Sequence, residues 1–174
     1  MKGRVLTVAA LLVLPGAPRG GLAQSSGAIG IDAEVIGNGM TIATLQQLNF
    51  GQVTKGVATT VQPTDAGAGE WQIIGNKNAF AQITFTLPTL LTNVQALPGS
   101  AMPIAFGVTA ARWRRSTNDP AGATPFDPAA GIVGRFGPNP NPIIYIWIGG
   151  TVNPAGTAKP GVYVGNVIVS LVYL

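Results

Sequence analysis

Apolar and polar residues alternate with a period of two wherever the chain is not turning, and that period sends successive side chains to opposite faces of an extended strand. Ile29, Ile31, Ala33 and Val35 share one face of a first expected strand, with Asp32 and Glu34 on the other. Met40–Phe50 is a second extended run, closing on Leu48-Asn49-Phe50-Gly51. Val57, Thr59 and Val61 alternate before Pro63, and Asp65–Gly69 has the composition of a flexible turn. Trp71–Ile74 predicts a short buried strand. Ala81, Ile83, Phe85 and Leu87 oppose Gln82, Thr84 and Thr86 in a half-buried strand, and Met102, Ile104, Phe106 and Val108 repeat the pattern. Ile143–Ile148 is apolar on both faces and predicts a central strand. Gly161–Leu174 is the longest alternating run in the chain.

Between Ala111 and Pro142 the alternation breaks down. The stretch is rich in proline and glycine, and its length exceeds an ordinary β-connection, which predicts a long functional or mobile loop. Within it, Asn139–Pro142 is expected to be a stiff extended connector. No segment carries a helical period, no internal repeat recurs, and no second domain is marked. Short strands at close spacing predict an all-β fold, an Ig-like (pilin-like) antiparallel β-sandwich of about seven or eight strands.

The first 23 residues follow a different rule. Lys2 and Arg4 open the segment, Val5–Leu14 is apolar, Pro15 breaks it, and Gly21-Leu22-Ala23 ends it on small residues. This is the layout of a secretory signal peptide, too short in its apolar part to span a bilayer. Cleavage after Ala23 would leave residues 24–174 as one mature domain, with no later membrane span. It also changes the charge. Loss of Lys2, Arg4 and Arg19 leaves seven basic residues of the original 10 against all 6 acidic ones, a net of +1 instead of +4. Nearly neutral charge argues against nucleic acid as a partner.

Composition narrows the chemistry further. The chain has no Cys and no His, which excludes a Ser-His-Asp triad, a Cys-His pair, an ordinary zinc site and any disulfide. No cofactor or metal is implied. Asp32 and Glu34 could form a carboxylate pair, but without a third group to move protons they read as a solvated strand face. Asp119 and Asp127 share the long loop with Asn118, and their spacing fits no calcium-loop signature. Arg112, Trp113, Arg114 and Arg115 are the only concentrated charge, a candidate contact loop in which cations beside an aromatic ring can meet phosphate or a sugar. The C-terminal run is the more informative feature. Val167, Val169, Leu171 and Tyr173 lie on one face, and such a strand can offer a partner a row of backbone groups and alternating pockets.

Those residues resemble the end of chaperone–usher pilus subunits, which carry a penultimate Tyr and a Gly fourteenth from the end, here Tyr173 and Gly161. Ile31–Ile36 followed by Leu48–Val53 is similar to the first two strands of pilins and of spore coat protein U-like domains. The closest resemblance in detail is to the bacterial domain of unknown function 4402, through Leu48–Gly51, Gly149-Gly150-Thr151 and Gly161-Val162-Tyr163-Val164-Gly165. The chain departs from pilins in lacking the cysteine pair and in having only Gln24–Gly27 ahead of its first expected strand. The resemblance implies an exported, non-enzymatic subunit of a surface fibre or coat, in transit through the periplasm. Assembly would proceed by strand addition, with Gly161, Val167, Val169, Leu171 and Tyr173 as the receiving edge and Ile29, Ile31, Ala33 and Val35 as the donated strand. Its partners would be other copies or related subunits, a periplasmic chaperone and an outer-membrane usher. The alternative is a monomeric periplasmic or surface adhesion module that meets a glycan or surface ligand through the loop around Trp113.

Overall fold

A computed structural model describes residues 39–95 and 100–174. The expected first strand, Ile29–Val35, and the signal-like segment lie outside the described residues. The described strands fall within one unit, Ile36–Leu174. They number thirteen: β1 (Thr41–Gln46), β2 (Thr59–Val61), β3 (Gly69–Ile74), β4 (Phe80–Thr86), β5 (Leu90–Asn93), β6 (Ala101–Ala105), β7 (Ala111–Arg115), β8 (Thr124–Phe126), β9 (Ile132–Arg135), β10 (Ile143–Ile148), β11 (Gly150–Val152), β12 (Tyr163–Val164) and β13 (Ile168–Tyr173). Every pairing between them is antiparallel. None of the described residues is helical, so no described helix is long and apolar enough to cross a membrane. The all-β sandwich expected from the alternation is the fold observed.

The strands form three sheets, ordered β1-β3-β10-β7-β8, β12-β5-β6-β11-β2 and β13-β4-β9. Two runs of chain join them. At Gly149 the chain leaves β10 in the first sheet and enters β11 in the second, passing so close to β2 that a Cβ there would lie 2.1 Å from the Val61 carbonyl oxygen. Only glycine fits that crossing. The other run is β4–β5, which serves the third sheet with its first half and the second sheet with its second, followed throughout by β12 and β13.

The main core lies between the first and third sheets. Ile73, Ile144 and Ile146 face Ala81, Ile83 and Phe136, all fully buried. Each large side chain removed from water contributes about 1.5–3 kcal/mol, so this cluster anchors the domain. A second cluster, the buried Leu91, Met102, Ile104 and Val152, lies on the second sheet and, among the described residues, is met by partly buried Phe50, Val53, Phe106 and Tyr163.

Several sequence expectations need correction. The stretch 111–142 is not a loop, because β7, β8 and β9 all lie within it. Their signals were masked locally. β7 alternates Trp113 with arginines, β8 contains Pro125, which an edge strand tolerates, and β9 turns Gly134 inward where an apolar side chain was needed to complete the pattern. Asn139–Pro142 turns instead of extending, with the Asn141 N–H donating to the Pro138 carbonyl at 2.9 Å. The continuous strand expected over Gly161–Leu174 is two strands separated by Gly165–Val167. The repeat ending at Val108 stops at Ala105, and Val108 is 71% exposed. The strand count exceeds seven or eight because many members are only two to four residues long.

Candidate functional site

Among the described strands, three at the same margin of the sandwich have only one neighbour each: β1 in the first sheet, β12 in the second and β13 in the third. Between β1 and the β12–β13 run lies a groove of about 1740 Å³. That exceeds the roughly 300–1,000 Å³ of small-molecule pockets. Its floor is the second cluster, the buried Leu91, Met102, Ile104 and Val152, and Trp71 also lines it.

The first bank begins with β1. Ile42 stands opposite Ile73 and Thr44 opposite Trp71, so both point to the inner face of the first sheet. Ile73 is fully buried there, yet Ile42 is 43% exposed, and every residue of β1 is exposed. Among the described residues, the inner face of β1 is thus covered far less than that of β3 beside it. Register slips between Thr44 and Gln46, and the chain then turns along the groove through Leu48–Gly51. Glycines hold that turn against the sheet. A Cβ at Gly67 would lie 2.5 Å from the Asn49 carbonyl oxygen, and the Asn49 N–H donates to the Gly67 carbonyl at 2.8 Å. Phe50 and Val53 are thereby carried down onto the floor.

The second bank is the β12–β13 run. Gly161 has φ +145, and a Cβ there would sit 2.4 Å from the Asn93 side-chain nitrogen. Buried Asn93 fixes the neighbouring turn by accepting from the Gln95 N–H at 2.9 Å. Gly165 lies directly on the floor, with Leu91 Cδ2 2.6 Å from where its Cβ would be. Beyond it, Val167, Val169, Leu171 and Tyr173 point inward but remain only half-buried, whereas Ala81 and Ile83 of the adjacent β4 are fully buried. Tyr173 is tied into the domain: its hydroxyl accepts from the Asn76 N–H at 2.9 Å and its ring packs on Phe136 at 6.1 Å. Lys55 and Lys159 border the groove, and among the described residues no carboxylate lines it.

Of the residues expected at the receiving edge, Gly161 and Val167 line the groove, while Val169, Leu171 and Tyr173 continue the same face along β13. The candidate donor residues Ile29, Ile31, Ala33 and Val35 lie outside the described residues. The chain matches no known protein-family model, and no curated protein is significantly similar to it.

Arg112, Trp113, Arg114 and Arg115 are brought together elsewhere, on β7 and not on a loop. Strand geometry divides them. Trp113 and Arg115 pair with Ile146 and Ile144 and share their inner face, whereas Arg112 and Arg114 pair with Trp147 and Tyr145 on the outer one. Arg112 donates to the carbonyls of Pro120, Ala121 and Ala123, at 3.3, 3.4 and 3.1 Å, and so ties down the β7–β8 connection. Asp119, a candidate calcium ligand by sequence, is the ion-pair partner of Arg114, and Asp127 accepts from the Ala129 N–H at 2.8 Å. Among the described residues no group of acidic side chains could hold a metal ion.

The floor of the groove escaped sequence reasoning. Met102 and Ile104 were recognisable as inward-facing, but alternation carries no mark of whether a second layer covers them.

Proposed function

We propose that the protein is a structural, non-catalytic subunit that assembles by β-strand addition, its groove receiving an extended segment from another copy. The observation that carries this reading is the groove itself: strand edges on both banks that no other described strand pairs, half-buried inward side chains, and an apolar floor met among the described residues by partly buried Phe50, Val53, Phe106 and Tyr163. Open edges supply main-chain hydrogen bonds for affinity, and alternating pockets supply specificity.

The occupant is the segment Ile29–Val35. It presents Ile29, Ile31, Ala33 and Val35 on one face for the floor, and Asp32 and Glu34 on the other. Those carboxylates complement a groove bordered by Lys55 and Lys159 and lined by no acid among the described residues. Opposite charge at such a margin speeds encounter and selects register more than it adds affinity. Export through the signal-like segment 1–23 and assembly at the cell surface complete the proposal, as the resemblance to pilus and coat subunits suggests.

The test is Ile31→Asp in the exported chain, followed by sedimentation. A donated strand predicts a folded, soluble monomer where the wild type forms larger species. Wild-type protein that stays monomeric at high concentration, with its groove resistant to added 29–35 peptide, would refute assembly.

A further inference from the structure

The opposite margin of the sandwich, where β8 and β9 are the edge strands, holds a second concavity of about 400 Å³. It is lined by Trp113, Arg114, Arg115, Thr117, Thr124 and Arg135. We infer that this cleft binds a saccharide bearing a sulfate or phosphate ester.

The charge is concentrated and largely uncompensated. Of the three arginines, Arg114 is paired with Asp119, and among the described residues neither Arg115 nor Arg135 has a carboxylate partner. Arg115 is also out of place for its position. It stands opposite Ile144, which is fully buried, on the inner face of the first sheet, yet it is exposed at the mouth of the cleft. Beneath the cleft, buried Gly134 of β9 lets the sheets approach closely: a Cβ there would lie 3.0 Å from Ile144 and 3.7 Å from the Trp113 ring, so Trp113 is packed tightly on the core side.

The cleft is also held in shape. Arg135 donates through Nε to the Asn78 carbonyl at 3.3 Å, and its guanidinium lies 5.5 Å from the Phe80 ring centroid. Arg114, turned to the outer face of β7, borders the cleft from that side with its charge met by Asp119. Side chains positioned before the ligand arrives lose less freedom on binding. Planar guanidinium groups match a tetrahedral oxyanion with paired N–H donors, and the Thr117 and Thr124 hydroxyls can donate to the remaining oxygens. Trp113 packs against the main core while lining the cleft, which gives a rigid apolar wall for the less polar face of a sugar ring. The volume suits one or two sugar units, within the roughly 300–1,000 Å³ typical of such sites. This site shares no lining residue with the strand-accepting groove, so it stands whether or not the protein assembles.

The experiment is calorimetric titration of the exported chain at low salt with a sulfated disaccharide, its unsulfated counterpart and inorganic phosphate. The sulfated sugar is expected to bind, the unsulfated one not measurably, and phosphate alone more weakly. Arg115→Gln and Arg135→Gln each weaken binding about tenfold, as expected for the loss of a charge-assisted hydrogen-bonding pair. Lys55→Gln, which removes the same charge beside the groove, changes binding less than about twofold, the residue of long-range attraction after screening. If an Arg→Gln variant melts early, Arg115→Lys decides the matter, because it keeps the charge, loses the fork and still weakens binding severalfold. Absence of binding at millimolar sugar, equal binding of the unsulfated sugar, or unchanged affinity in the double Arg→Gln variant would each overturn the site. Phosphate binding as tightly as the sulfated sugar would remove the saccharide from the proposal.

Discussion

Val167→Asp distinguishes an open groove from a closed core. Val167 lies between β12 and β13, half-buried, with its side chain on the groove. In a free subunit a carboxylate there keeps contact with water, so folding loses only the partial burial of one valine. Half of the roughly 1.5–3 kcal/mol for a fully buried aliphatic side chain is about 1 kcal/mol. For a unit of this size that lowers Tm by roughly 3–5 °C. Filling the groove removes the water. An unpaired carboxylate then costs several kcal/mol, and each 1.4 kcal/mol is tenfold, so about 3–4 kcal/mol weakens association by two to three orders of magnitude. Thermal unfolding followed by circular dichroism reads the first effect, and sedimentation velocity at matched concentrations reads the second. A Tm drop several times larger would mean that Val167 belongs to a sealed core. Unimpaired assembly would mean that this bank does not receive the strand. Mixing sharpens the test. Ile31→Asp spoils the donated segment and leaves the groove, Val167→Asp does the reverse, and together they should form capped pairs that grow no further. If the mixture stays monomeric while the wild type assembles, Ile29–Val35 is not the occupant.

Gly161→Ala should lower stability by about 1–3 kcal/mol, because a side chain at φ +145 is strained and its Cβ would meet Asn93 at 2.4 Å; a thermal melt measures it. Tyr173→Phe should cost about 1 kcal/mol, the net value of the hydroxyl's bond from the Asn76 N–H, while keeping the ring on Phe136; denaturant titration with an unchanged slope is the expected result. Asp32→Asn with Glu34→Gln should slow assembly severalfold and flatten its salt dependence without abolishing it, read by light scattering across ionic strength. No loss of enzymatic turnover is expected in that variant, and a hydrolytic activity that disappears with the two carboxylates would refute the structural role.

The fold was legible where one face of a strand is covered and the other is not. Ala81 and Ile83 are fully buried while Gln82 and Thr84 are exposed, as their alternation requires, and Ile144, Ile146 and Trp147 are buried on both faces of a strand flanked by β3 and β7. Legibility failed for β7, β8 and β9, whose inward positions are filled by an aromatic among arginines, by a strand of three residues, and by a glycine. Each fits its place only because of what the facing sheet supplies, and that information is not local. The groove was illegible for a deeper reason. Ile42 and Ile73 sit opposite each other in one ladder with the same side chain on the same face, yet one is 43% exposed and the other fully buried. Periodicity reports the direction of a side chain, not the presence of a layer above it. Arg135 was missed likewise, since only folding brings it, from the end of β9 and beyond the intervening β8, to the cleft that Arg115 lines.

An open groove flanked by unpaired strands is also a hazard, because the features that admit one segment can admit any extended chain. Here the margin is guarded in ways that favour a particular occupant. Lysines at positions 55 and 159 repel basic segments, and Pro154 and Pro160, which also line the groove, offer no N–H for indiscriminate pairing. The slip between Thr44 and Gln46 interrupts the ladder along β1, and Gly165–Val167 interrupts it on the other bank. A segment entering between them cannot slide freely, since register shifts by one residue would turn its apolar face outward. A chain with acidic residues at alternate positions and aliphatic ones between them satisfies both constraints at once. Ile29–Val35 is such a chain, so in the proposed assembly charge and register together, more than apolar area alone, would select it for this groove.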